Sequence, residues 1–182
     1  VAAIEEFKSI NQRYEFLSTQ INDLNIAKED IQKVVKDMER KMRIQFRKSF
    51  DEINEKFTQT FSILFSGGKA RLEIDEDEDI LTAGIEIMAQ PPGKKLQSLT
   101  LLSGGEKSLT AVALLFAILK TKPSPFCILD EIDAPLDDAN IDRFTRILND
   151  FSKDTQFIVV THNKRTMEAA DTLYGVTMQE EG

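Results

Sequence analysis

The chain has 182 residues, 41% of them hydrophobic and 30% charged, enough to bury the core of one ordinary domain and to keep its surface in water. Its net charge of −8 gives no general attraction to nucleic acid or to anionic membranes, and no apolar run approaches the length of a membrane span. The single cysteine, Cys127, excludes an internal disulfide framework and cysteine-rich zinc sites, and suits a reducing, cytoplasmic compartment. The apolar start of a signal peptide is missing. The chain opens on Val1 rather than methionine, so a piece of a longer or processed protein is expected.

The first third reads as one helix. Phe7, Tyr14, Ile21, Lys28, Val35 and Met42 repeat every seven residues, and Ile10, Leu17, Leu24, Ile31, Met38 and Gln45 follow three residues behind. Ten of these twelve positions are apolar, and no Pro or Gly occurs before Gly67. This 3–4 spacing is that of a left-handed coiled coil, about 60 Å long at 1.5 Å per residue. No second heptad segment is present, so the partner helix is expected elsewhere. After Met42 the phase shifts, and Phe46, Phe50, Ile53, Phe57 and Phe61 read as a helix plugging into a globular body, up to the break at Phe65-Ser66-Gly67-Gly68. Expected domains are therefore 1–62, coiled coil and neck, and 63–182, a globular body.

Two strands are predicted near Ala70–Asp75 and Gly84–Ala89, with the acidic run Asp75–Asp79 as a solvated hairpin tip. Gln90-Pro91-Pro92-Gly93 opens a loop, and Lys94-Lys95 makes a small basic spot. Ser103-Gly104-Gly105 then leads into an apolar helix over roughly Glu106–Lys120. Glycines at a helix N-terminus leave backbone N–H groups open to an anion, although plain N-capping by Ser103 explains the serine equally well. A P-loop requires Gly immediately before Lys-Ser. Glu106 stands there, so this chain has no P-loop.

Phe126–Leu129 reads as a strand buried on both faces, ending in Asp130 and Glu131. Ligands of open α/β sheets bind outside the carboxyl ends of the strands, where an Asp can hold a metal and a Glu can orient a water. After the turn Ala134–Asp138 come a helix over Ala139–Phe151, a strand over Gln156–Val160, a helix over Lys164–Asp171 and a last strand over Leu173–Met178. Parallel strands set the end of the second, with the chain's only histidine, His162, beside Asp130 and Glu131.

Leu102–Glu106 (LSGGE), Ile128–Glu131 (ILDE), Ala134–Asp137 (APLD) and Thr161-His162 follow one another in the order of signature, Walker B, D-loop and switch histidine of an ABC-type ATPase. With the coiled coil, the wording DEIDAPLDDAN and the ending ADTLYGVTMQ, the chain resembles the C-terminal half of the head of a bacterial-type structural maintenance of chromosomes (SMC) protein. The resemblance implies an α/β fold, the C-terminal lobe of an ABC-type head with a mainly parallel sheet and flanking helices, continuing slightly past Gly182. It implies ATP and Mg²⁺ as cofactors. Asp130 would hold the Mg²⁺ shell, Glu131 would activate the attacking water, and His162 would contact the γ-phosphate region. Asp137 would lie near the head–head interface, and Ser103, Gly104 and Gly105, with Glu106 beside them, would meet nucleotide bound to the opposite head. The implied partners are the N-terminal, Walker A half of the same head, a second head engaged through ATP, a kleisin subunit at the neck, and DNA through the full complex, without a membrane. Such a half-site is expected to be inactive alone and to serve chromosome condensation and segregation at the nucleoid. The competing readings are a head of a double-strand-break repair ATPase, a transporter ATP-binding subunit, and a non-hydrolysing coiled-coil docking module.

Overall fold

The computed structural model describes residues 2–75 and 77–176. A single α-helix, α1 (Ala2–Leu64), occupies the first third. Two compact units, 1–47 and 48–182, divide within it. In the first unit the heptad positions stand exposed: Phe7, Tyr14, Leu24 and Ile31 are all more than 60% accessible, leaving the stripe open for another helix.

The unit boundary precedes the expected 62/63 division because the last turns of the helix already belong to the core. Phe57, Phe61 and Leu64 are fully buried, with Phe50 and Ile53 packed against the same cluster. The rings of Phe61 and Phe65 stack at 4.1 Å. The helix ends in a Schellman motif: Gly67 N donates to Ser62 O at 2.8 Å and Ser66 N to Ile63 O at 3.3 Å. Ser66 itself takes the left-handed conformation, at φ 53.

β1 (Lys69–Ile74) and β2 (Ile85–Gln90) pair antiparallel from Lys69↔Gln90 to Ile74↔Ile85, as the alternation predicts. In the connection between them Asp75, Asp77, Glu78 and Asp79 are exposed. A two-residue β3 (Gln97–Ser98), absent from the expected elements, extends this sheet in the order β1-β2-β3. The helix side chains of Asn54 and Thr58 complete the other edge. Asn54 Oδ1 accepts from Leu72 N at 2.8 Å, and Thr58 Oγ1 donates to Ala70 O at 2.7 Å.

A 3-10 turn (Leu99–Leu101) leads to α2 (Gly104–Thr121). β4 (Phe126–Asp130) and β5 (Gln156–Val160) pair parallel, joined through α3 (Asp138–Phe151), and α4 (Lys164–Glu168) follows. The core beneath centres on Phe116 of α2, whose ring meets Phe144, Phe151 and Phe157 at 6.2, 5.0 and 6.2 Å.

The α/β class holds, with differences in detail. β4 is not buried on both faces: Leu129 is 4% accessible, but Phe126 is 55% and Ile128 60%. Cys127 and Leu129 turn to the helices, whereas the opposite face of this two-stranded sheet has no covering layer among the described residues. α4 stops at Glu168, three residues before the expected Asp171, because its polar sequence offers only Thr166 to the interior. Leu173–Val176 form no strand and are exposed; Thr177 and Met178 lie outside the described residues. No helix among the described residues is long and apolar enough to cross a membrane.

Candidate functional site

The parallel pairing of β4 and β5 sets Asp130 opposite Val160, and Glu131 N donates to Val160 O at 2.9 Å, prolonging the ladder by one rung. Glu131 then turns sharply, with φ 47. A left-handed glutamate costs roughly 1 kcal/mol or more, a strain characteristic of functional positions. The turn brings its side chain to the end of the neighbouring strand, where His162 Nε2 lies 3.1 Å from Glu131 Oε1. At 89% and 54% side-chain exposure this pair is open to solvent and adds little to stability, while remaining free to meet a ligand.

Asp130 is exposed and makes no side-chain hydrogen bond among the described residues. Among the described residues no group of three potential ligands could enclose a metal ion by itself. Mg²⁺ does not need one: it is commonly held through one or two carboxylates, waters and substrate phosphates, and an unengaged Asp at a strand end fits that demand.

A buried carboxylate supports the site from below. Asp133 is 1% accessible, and its Oδ2 accepts from Thr161 Oγ1 at 2.6 Å and from Thr166 Oγ1. Thr161 Oγ1 in turn accepts from Asn163 N at 2.9 Å, and Asn163 Oδ1 caps α4 through Arg165 N at 2.9 Å. His162 therefore sits in a three-residue connection whose two neighbours are both tied down. Asp133 was not among the expected site residues. It lies 28 and 33 residues from its partners, so no local spacing announces it.

Asp137 is the N-cap of α3, its Oδ1 accepting from Asn140 N at 2.8 Å. The next turn is fixed by Arg165, which reaches Asp142 at 2.8 Å and Asp138 at 3.3 Å; these carboxylates hold its guanidinium above the usual arginine range.

The second cluster is the N-terminus of α2. Ser103 is its N-cap, and Glu106 folds back so that Oε2 accepts from Ser103 N at 3.0 Å and from Ser103 Oγ at 2.7 Å. Lys94 Nζ completes the knot, 2.9 Å from Oε2 and 2.8 Å from Oε1. Hydrogen bonding from Lys94, then from Ser103, holds the Glu106 carboxyl below its ordinary value. A Cβ at Gly104 would meet nothing within 4 Å, so the surface above it is open. One at Gly105 would lie 3.3 Å from Pro135 O, so this glycine seats α2 on the turn that precedes Asp137. The structure thus joins Glu131 to His162, and Gly105 to the Pro135 turn.

The family profile described as "RecF/RecN/SMC N terminal domain" matches residues 3–182. The chain is 54% identical over 182 residues to the "Chromosome partition protein Smc" of Bacillus subtilis (strain 168), covering 100% of this chain and 15% of that protein. The chain thus spans about 15% of the length of the curated relatives it matches. Among solved structures, it is 43% identical, with a TM-score of 0.69, to a chain from a study of ATP-driven dimerization and DNA-stimulated activation of SMC ATPases, covering 74% of this chain and 82% of that one. It is 40% identical, with a TM-score of 0.72, to the Smc head domain with an extended coiled coil bound to the C-terminal domain of ScpA from Pyrococcus furiosus, covering 91% of this chain and 42% of that one. The order of motifs led to the expectation of a C-terminal half; the profile's description names an N-terminal domain, so that placement is not borne out and the common ground is an SMC-type head region.

Proposed function

The chain belongs to the RecF/RecN/SMC family, and on that premise we propose that it is the part of an SMC ATPase head that carries the signature, Walker B and switch histidine, with residues 1–62 as its coiled-coil neck. The observation that carries this reading is the 3.1 Å approach of Glu131 to His162 at the ends of two parallel strands. Glu131 orients a water and takes its proton, and the left-handed turn aims its carboxylate at that task. His162 faces the transferred phosphoryl group, with its connection braced through Asp133. Asp130 would hold a Mg²⁺ ion through a water, and the ion would supply positive charge against the triphosphate.

Ser103, Gly104 and Gly105 present the N-terminus of α2 to the γ-phosphate of nucleotide on a second head, and Glu106 sets the serine. Asp137, which starts α3, lies toward that second head. Contacts made to ATP and absent with ADP turn engagement into a differential-affinity switch. A P-loop-bearing half, which this chain lacks, completes each site, so the chain alone is inactive. A kleisin at the neck and DNA held by the full assembly are the further partners, in keeping with a role in chromosome partition in the cytoplasm, at the nucleoid.

The test is ATP hydrolysis and head dimerisation by this chain co-expressed with its P-loop-bearing half. Glu131→Gln is expected to keep ATP-dependent dimerisation and abolish turnover. Ser103→Arg is expected to block dimerisation while nucleotide still binds. Dimerisation lost in Glu131→Gln, or unchanged in Ser103→Arg, removes the role given to that residue. Assembly of the two halves without any hydrolysis favours the docking module instead.

A further inference from the structure

Glu106 poses an electrostatic problem. It stands one turn inside a helix N-terminus that is read as a phosphate surface, and its carboxylate is bonded to the very serine that is to meet the anion. A bare carboxylate there repels phosphate and draws the serine hydroxyl onto itself. Lys94 answers both difficulties, contacting the two carboxylate oxygens at 2.8 and 2.9 Å.

The lysine is delivered by a built support. Pro91-Pro92-Gly93-Lys94 forms a turn closed by Lys94 N to Pro91 O at 3.0 Å, with Gly93 at φ 77 in the position where a type II turn requires a positive angle. Gln90 Nε2 bonds Lys94 O at 3.1 Å, fixing the backbone from the other side. Pro92 packs against Gly67 and Gly68. Such bracing is more than a surface lysine needs, and the half-exposed ion pair that results contributes little to the fold itself.

We propose that Lys94 is the positioning residue of the signature: it neutralises Glu106 and holds it so that Ser103 stays set while a triphosphate approaches. This rests on the reading of Ser103 given above. It assigns a function to the turn after β2 and makes Lys94 and Glu106 a matched pair.

The complete head, assembled from this chain and its P-loop-bearing half, is titrated with a non-hydrolysable ATP analogue, and dimerisation is followed by sedimentation. Lys94→Met is expected to raise the analogue concentration for half-engagement about tenfold with the melting temperature at neutral pH lowered only slightly, as a half-exposed ion pair requires. Adding Glu106→Gln to Lys94→Met is expected to recover most of the loss, because a neutral amide accepts from Ser103 without needing a counter-cation. An unaltered titration in Lys94→Met, or a loss that Glu106→Gln leaves in place, overturns the proposal. Should Lys94→Met melt the fold, Lys94→Arg decides: it keeps the charge and is expected to engage, and failure to engage overturns the proposal. Engagement that survives Ser103→Arg defeats the underlying reading of the signature, and is distinguishable because it does not depend on residue 94.

Discussion

Three glycines of the globular unit offer a graded test of how closely the chain is packed around the turn that follows α1. At Gly84 the backbone is ordinary and a Cβ meets nothing within 4 Å; at Gly93 the space is open but φ is 77; at Gly68 φ is 78 and a Cβ would collide with Gln90 O and lie 3.2 Å from Phe61 Cε1 and 3.3 Å from Pro92 Cδ. Gly84→Ala is expected to be neutral or to stabilise by up to about 1 kcal/mol, since it only restricts the unfolded chain. Gly93→Ala meets the left-handed penalty alone, about 1–2 kcal/mol. Gly68→Ala adds to that the displacement of a backbone carbonyl in a paired strand, about 2 kcal/mol more, for a total of about 3–4 kcal/mol. That is a large share of the 5–15 kcal/mol typical of a domain. The assay is thermal and urea unfolding of the complete head assembled from both halves, each variant against wild type. If Gly68→Ala unfolds no earlier than Gly93→Ala, the carbonyl contact is not limiting and the steric part of the reasoning fails.

Two further predictions concern the site. Asp133→Asn replaces the buried acceptor of two threonine hydroxyls with an amide and is expected to cost about 2–3 kcal/mol, and to cut turnover by loosening the His162 connection while ATP-dependent dimerisation persists; equal stability and turnover would show that Asp133 braces nothing. Because Glu106 is held below its ordinary value of 4.5, its contribution to folding is complete above that value and is lost as pH falls through the lowered one. Acid unfolding of Lys94→Met should therefore begin at higher pH than that of the wild type, and coincident acid transitions would remove the link between Lys94 and that shift.

Local rules account for what the sequence made legible. The heptad from Phe7 to Met42, the apolar strands ending at Asp130 and before His162, and the helix that follows the Ala134–Asp138 turn are each written in short local patterns, whereas the capping role of Asp137 appears only in the structure. The Glu131–His162 encounter followed from one further rule, that parallel strands align their ends. What stayed hidden depends on distant partners or on missing ones. β3 is two residues long and exists only because β2 offers an edge. Asp133 reads like any other acid of an acidic segment until Thr161 and Thr166 close over it. Lys94 and Lys95 were indistinguishable as a basic spot, and only the type II turn selects Lys94 for Glu106. The expectation of a strand buried on both faces failed at Phe126 and Ile128 because apolarity records what a residue can bury, whereas the layer that would cover it is not among the described residues.

The left-handed conformation of Glu131 carries a consequence for how such a head can be engineered. Glycine or asparagine would sit at φ 47 with less strain, so a library sorted only for heat resistance will tend to replace the glutamate and report success. The thermometer and the chemistry pull this position in opposite directions. Any thermostabilised variant should therefore be sequenced at residue 131 before its melting temperature is taken as an improvement.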